Sequence, residues 1–151
     1  MKELNSFADL AQAFKRNLGV LDGAFEVAME ASAVAVATEA RQELGEYQRE
    51  DMGPAAPWDE LKQATKNDRV RQGYPENDPL LRSGDLRDSI EYQAGPKGFV
   101  VGSVDPVALY QFAGTPQMPP RDALSPALHR NVSTILHNVG TTVEETLAGA
   151  K

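Results

Sequence analysis

A chain of 151 residues, 41% hydrophobic and 25% charged, is long enough for one hydrophobic core and too balanced for wholesale disorder. It contains no cysteine, which excludes disulfides, thiolate nucleophiles and cysteine-based zinc sites. The net charge is −7 and is unevenly placed: residues 1–60 hold twelve acids against five bases, residues 61–100 six against seven, and residues 101–151 four against three. Such acidity favours solubility and disfavours sequence-independent binding to phosphates. The longest strictly apolar run, Ala33–Ala37, falls far short of the roughly 20 residues of a membrane span. Met1–Ser6 lacks the apolar core of a signal peptide. Both features point to a protein made in the cytoplasm and used there, or in something assembled there.

Ser6 followed by Asp9 resembles a capping box, and Phe7, Leu10, Ala11, Phe14 and Leu18 recur at helical spacing. With Gly19 as a stop, the pattern predicts a first helix over 6–18. Asp22 then caps a second helix that Gly45 ends, an alanine-rich, proline-free stretch. Phe25, Met29, Val36, Ala40 and Leu44 give one apolar stripe, and Val27, Ala31 and Val34 a second. Apolar residues over more than half the circumference imply burial on several sides, either within the domain or against another subunit.

Residues 46–79 are polar and proline-rich, and are expected to form a long irregular loop. Within it, Trp58, Leu61 and Ala64 lie three apart, which predicts a short helix over 57–66 with Trp58 as an anchor on the core. Leu80–Ser89 reads as a short helix preceded by a turn at Ser83 and Gly84. Alternation through Ile90, Tyr92 and Ala94, a Gly95-Pro96-Lys97-Gly98 turn, and alternation through Phe99, Val101 and Ser103 predict a β-hairpin over 89–104. Val107–Phe112 fits either a short strand or a helical turn, and Gly114–Pro120 a proline-rich loop. Ser125 is the expected cap, and Pro126 the first position, of one amphipathic helix of about 20 residues through Leu128, Val132, Ile135, Val139 and Val143. The class is α+β, in a single domain spanning 1–151, with long N-terminal helices, a small antiparallel hairpin and a C-terminal amphipathic helix.

Catalytic constellations are hard to build from these residues. The two histidines, His129 and His137, fall about 80° apart around a helix and outside any metal-ligand spacing. The chain has no G-x-S-x-G, Walker or G-x-G-x-x-G motif, and Pro96 removes a donor that a phosphate cradle would use. Glu50-Asp51 and Glu144-Glu145 are adjacent, so on a helix they face apart. Asp85 and Asp88, with Arg82 and Arg87 nearby, suit structural ion pairs. The basic stretch Lys62, Lys66, Arg69, Arg71, Arg82 and Arg87 complements the acidic N-terminal helices better than it suits a nucleic acid. No enzyme activity, cofactor or metal is expected.

Four segments carry a resemblance to a known family. Trp58, Leu61 and Thr65 match a W-x-x-L-x-x-x-T segment, and Pro79–Ile90 reads PLLRSGDLRDSI where the family has PLLRTGRLRDSI. Val107-Ala108-Leu109-Tyr110-Gln111-Phe112-Ala113-Gly114-Thr115 is similar to a YA-x-x-HQFG or YA-x-x-x-EFGT segment, and Pro119-Pro120-Arg121-Asp122-Ala123-Leu124 stands where PARPFL precedes a terminal helix. These segments resemble the virion morphogenesis and tail-completion (neck) proteins of tailed bacteriophages, typified by the G product of phage Mu and by lambdoid tail components. Departures fall at Ser83, Asp85, Tyr110, Asp122 and Ala123. The resemblance implies a structural component of the head–tail connector, a homo-oligomeric and six-fold ring around the DNA channel, located in the virion. Its expected neighbours are head-closure, tail-terminator or tail-tube proteins. A channel wall that repels DNA is the role it would give the acidic N-terminal region. An assembly chaperone absent from the finished particle is the alternative. Trp58, Leu61, Leu80, Gly84, Leu86, Ile90, Tyr110, Phe112 and Arg121 are the residues expected to build the fold or its interfaces.

Overall fold

The computed structural model describes residues 7–49 and 55–149. Along the chain these form helix α1 (Phe7–Glu43), α2 (Gln63–Arg71), a single turn α3 (Asp85–Asp88), strands β1 (Ile90–Gly95) and β2 (Gly98–Ser103), then α4 (Pro106–Ala113), α5 (Leu124–Arg130) and α6 (Val132–Gly149). The two strands pair as one antiparallel hairpin, so the expected α+β class is present.

Several element boundaries differ from expectation, each for a local reason. Gly19 does not stop the first helix: α1 runs unbroken through Gly19 and Gly23, because an isolated helical glycine costs only about 1 kcal/mol against alanine. The expected cap Ser6 lies outside the described residues. The helix ends just before Gly45, whose φ of +107° suits glycine and whose N–H donates to the Pro79 carbonyl at 2.8 Å. The helix expected over 57–66 starts instead at Gln63. Before it, the Trp58 N–H is taken by the Gln48 carbonyl (2.8 Å) and the Leu61 N–H by the Tyr47 hydroxyl (2.9 Å), which leaves neither for a helical ladder. Val107–Phe112 is helical because Asp105 accepts from the Val107 N–H at 2.8 Å and Pro106 occupies the first position.

The single C-terminal helix is in fact two. Asn131 interrupts it by bonding back through its side chain to the Ala127 carbonyl at 2.9 Å. Ser125 is not the cap. Asp122 Oδ1 accepts from the N–H groups of Leu124 and Ser125 (2.8 and 3.1 Å), and Pro126 sits buried in the first turn.

The chain groups into two compact units. The first comprises the described parts of residues 1–33, 93–100 and 133–151. Its buried residues among those described are all small: Ala28, Ser32 and Ala33. Ser32 Oγ donates to the Ala28 carbonyl and accepts from Asn138 Nδ2 at 3.1 Å, which lays α6 against α1.

The second unit comprises residues 34–92 and 101–132 and holds the larger core. Val36, Ala37, Ala40 and Leu44 supply one face of α1, and Trp58, Pro79, Leu86, Ile90, Ala108, Ala123 and Ala127 fill in around it. The Val27, Ala31 and Val34 stripe is not buried. Val27 and Val34 are among the exposed large apolar side chains, so this part of α1 packs on one face.

Candidate functional site

The second unit carries a groove of about 710 Å³. One wall comes from the extended segment before α2 and from α2 itself, with Leu61 and Thr65. A second comes from the turn into α3, with Leu80, Gly84 and Leu86. The third comes from α4 and the loop after it, with Gln111, Met118 and Arg121.

Tight local geometry sets each wall. Leu80 adopts φ +62°, a left-handed conformation rare for a leucine, and Gly84 follows at φ +100° as the residue capping α3. On the opposite side, Gly114 at φ +76° closes α4. A Cβ there would meet the Pro120 nitrogen at 2.8 Å and the Met118 carbonyl oxygen at 2.9 Å, so glycine is required.

Two buried guanidinium groups underlie the groove. Arg69 donates through Nε to the Pro75 carbonyl (2.7 Å) and through Nη2 to the Leu81 carbonyl (2.6 Å). Arg121 donates through Nη2 to the Asp59 carbonyl at 3.0 Å, and its backbone N–H donates to the Gln111 carbonyl at 2.8 Å. Each therefore ties chain segments together through main-chain oxygens. The charged lining is balanced, with Asp59, Glu60, Asp85 and Asp105 against Lys62, Arg69, Arg82 and Arg121.

Of the nine residues singled out from the sequence, Leu61, Leu80, Gly84, Leu86 and Arg121 line this groove. Trp58 and Ile90 do not: both are buried core residues, with the Ile90 carbonyl accepting from Arg41. Tyr110 is exposed and Phe112 half-buried, and neither reaches the groove. Arg69 carries a role that sequence reading missed. In a polar helix between Asp68 and Val70 it looks like any solvated base, and nothing in the spacing shows that its fork finds two carbonyls.

The basic stretch does not pair with the acidic N-terminal helix among the described residues. Lys66 pairs with Glu60, Arg71 and Arg82 with Asp68, and Arg87 with Asp88. Hydrogen bonds from Arg71, Gln72 and Arg82 hold the Asp68 carboxyl below its usual range. The acids at the end of α1, Glu39 and Glu43, pair instead with Arg130 at the end of α5. Burial pushes the Glu43 carboxyl up to about 7 despite Arg130, and Glu43 Oε2 has no hydrogen-bond partner.

As chemistry, the groove offers apolar walls, a mixed-charge rim and main-chain-anchored arginines. Ser83 Oγ donates to Asp85 Oδ2 at 2.7 Å, but no histidine lines the groove; His129 and His137 are exposed elsewhere. Among the described residues no group of three metal-ligating side chains comes together, and no helix is long and apolar enough to cross a membrane. Such a concave, partly apolar surface is suited to binding. No family model, curated protein or solved structure matches the chain.

Proposed function

We propose that the chain is a non-catalytic structural component of a tailed-bacteriophage head–tail connector or tail-completion ring. One observation carries the reading. The segments that resemble the virion morphogenesis family are scattered over some sixty residues, yet they supply the walls of a single groove: Leu61 and Thr65, Leu80 with Arg82 to Leu86, Gln111, and Pro119 with Arg121. The same segments also place Trp58, Pro79, Ile90 and Ala123 in the core, so their shared residues serve packing as well; those that converge on the open concave surface suit a docking site. A ring of identical subunits needs a heterologous contact, one surface on each copy receiving a different surface of the next, and the groove is suited to the receiving half.

The test is the composition of particles. In a phage that encodes this chain, mass spectrometry of purified virions is expected to find it, and cryo-electron microscopy of the neck to show about six copies around the channel. Its absence from finished particles, with assembly still dependent on it, would replace the ring reading with that of an assembly chaperone.

A further inference from the structure

The groove's lining is balanced in the number of its charges but not in their depth. Asp59, Glu60 and Asp85 are exposed, with Glu60 pairing with Lys66 and Asp85 accepting from Ser83. Asp105 is half-buried and accepts from the Val107 N–H as the cap of α4. Lys62 and Arg82 are exposed as well. The two buried charges, Arg69 and Arg121, are both cations, each 5% exposed. Solvent screens exposed charges far more than buried ones, so these two arginines weigh most in the field inside the groove.

Neither arginine has a counter-ion. Arg69 makes two side-chain bonds and Arg121 one, all to main-chain carbonyls, and among the described residues neither forms an ion pair. Arg121 Nε is buried with no hydrogen-bond partner. A carbonyl satisfies a donor but does not cancel a charge, and a buried charge without an opposite one is costly. Both arginines line the same groove, which therefore lacks an anion for each.

We propose that the groove takes an acidic segment of a partner polypeptide, whose carboxylates neutralise Arg69 and Arg121. This occupant presupposes the docking role proposed above for the groove and specifies its chemistry; a neighbouring subunit of a ring is such a partner. Guanidinium groups match carboxylates in shape as well as charge. Two cations call for more than one carboxylate, which a segment with several Asp or Glu side chains provides. Leu61, Leu80 and Met118 add half-buried apolar surface for the side chains between them. A nucleic acid fits less well. It carries a charge on every nucleotide and so sets phosphates beside Asp59, Glu60 and Asp85, whereas a peptide carries carboxylates only at some positions.

Fluorescence anisotropy with a labelled, end-blocked peptide of alternating glutamate and leucine tests this on the purified full-length protein. The peptide is expected to bind, to be released by rising salt, and to lose about tenfold in affinity when glutamine replaces its glutamates. Arg121→Gln is expected to weaken binding by about tenfold or more. Lys62→Glu, at an exposed position in the lining, is expected to weaken it by about three- to fivefold. Lys97→Glu, the same reversal in the exposed hairpin turn outside the lining, is expected to leave it unchanged. No binding by the native protein, equal binding of the glutamine peptide, or a folded Arg121→Gln variant of native affinity overturns the proposal. So does displacement of the peptide by an oligothymidylate of equal charge. Should Arg121→Gln not fold, the contrast between Lys62→Glu and Lys97→Glu carries the test. Peptide binding by a chain absent from virions overturns the ring and keeps the acidic occupant; a chain present in virions that ignores the peptide does the reverse.

Discussion

At Glu43 the balance of burial and charge gives the protein a pH-dependent stability. Its carboxyl is raised from 4.5 to about 7, so between those values the folded chain holds a proton that the unfolded chain releases. Stability therefore falls as pH rises through that window, by at most about 3 kcal/mol, and is level with respect to this group on either side. Glu43→Gln keeps the shape without the charge. It should match the native protein at the acid end, exceed it above neutrality and flatten the profile, as read from urea unfolding at several pH values. Leu86 tests the core in the other direction. It is buried at the start of the turn that feeds the hairpin, so Leu86→Asp places a carboxylate among apolar side chains. A cost above about 3 kcal/mol is expected, seen as loss of cooperative melting. At this scale the sequence was a fair guide to which apolar residues matter: Trp58, Leu86 and Ile90 are buried as their patterns imply. It was a poor guide to Arg69, because a buried arginine held by carbonyls leaves no periodic trace.

Among the elements, the hairpin and the turn before it were legible because each is specified locally, by alternation and by Ser83-Gly84 and Gly95–Gly98. The helices were less so. Gly19 looked like a terminator, yet termination needs a competing conformation that captures the freed carbonyls, and nothing supplies one there. It follows that Gly19→Ala, with no heavy atom within 4 Å of the added Cβ, should stabilise α1 by about 0.5–1 kcal/mol. A raised thermal midpoint of the helical signal checks this; a lowered one would mean the glycine is needed. The α5–α6 break at Asn131 and the Asp122 cap were unreadable for a shared reason. Asn and Asp side chains choose among several nearby backbone partners, and only the folded geometry selects one. For α4 the signal was present, Asp105-Pro106 being a helix start, but the apolar run that followed it fitted a strand equally well.

The whole molecule divides its burial unequally. The second unit holds nearly all the large buried side chains, while the first buries only small ones among its described residues. Hydrogen exchange should reflect this. Amides of Val36–Glu43 should be the slow ones in α1, and those between Phe14 and Leu21 should exchange by local opening well before global unfolding. The groove was half legible as a whole: five of the nine residues singled out from the sequence line it, but their convergence is a property of the tertiary fold. Arg69 has one last consequence. By gripping the carbonyls of Pro75 and Leu81 from position 69, it closes two nested loops in a chain that has no disulfide. It acts as a cross-link that no reductant opens and that forms only when the fold does. The chain entropy of that wall is lost during folding, so the surface is already ordered, and the docking proposed for it would cost that wall little further freedom.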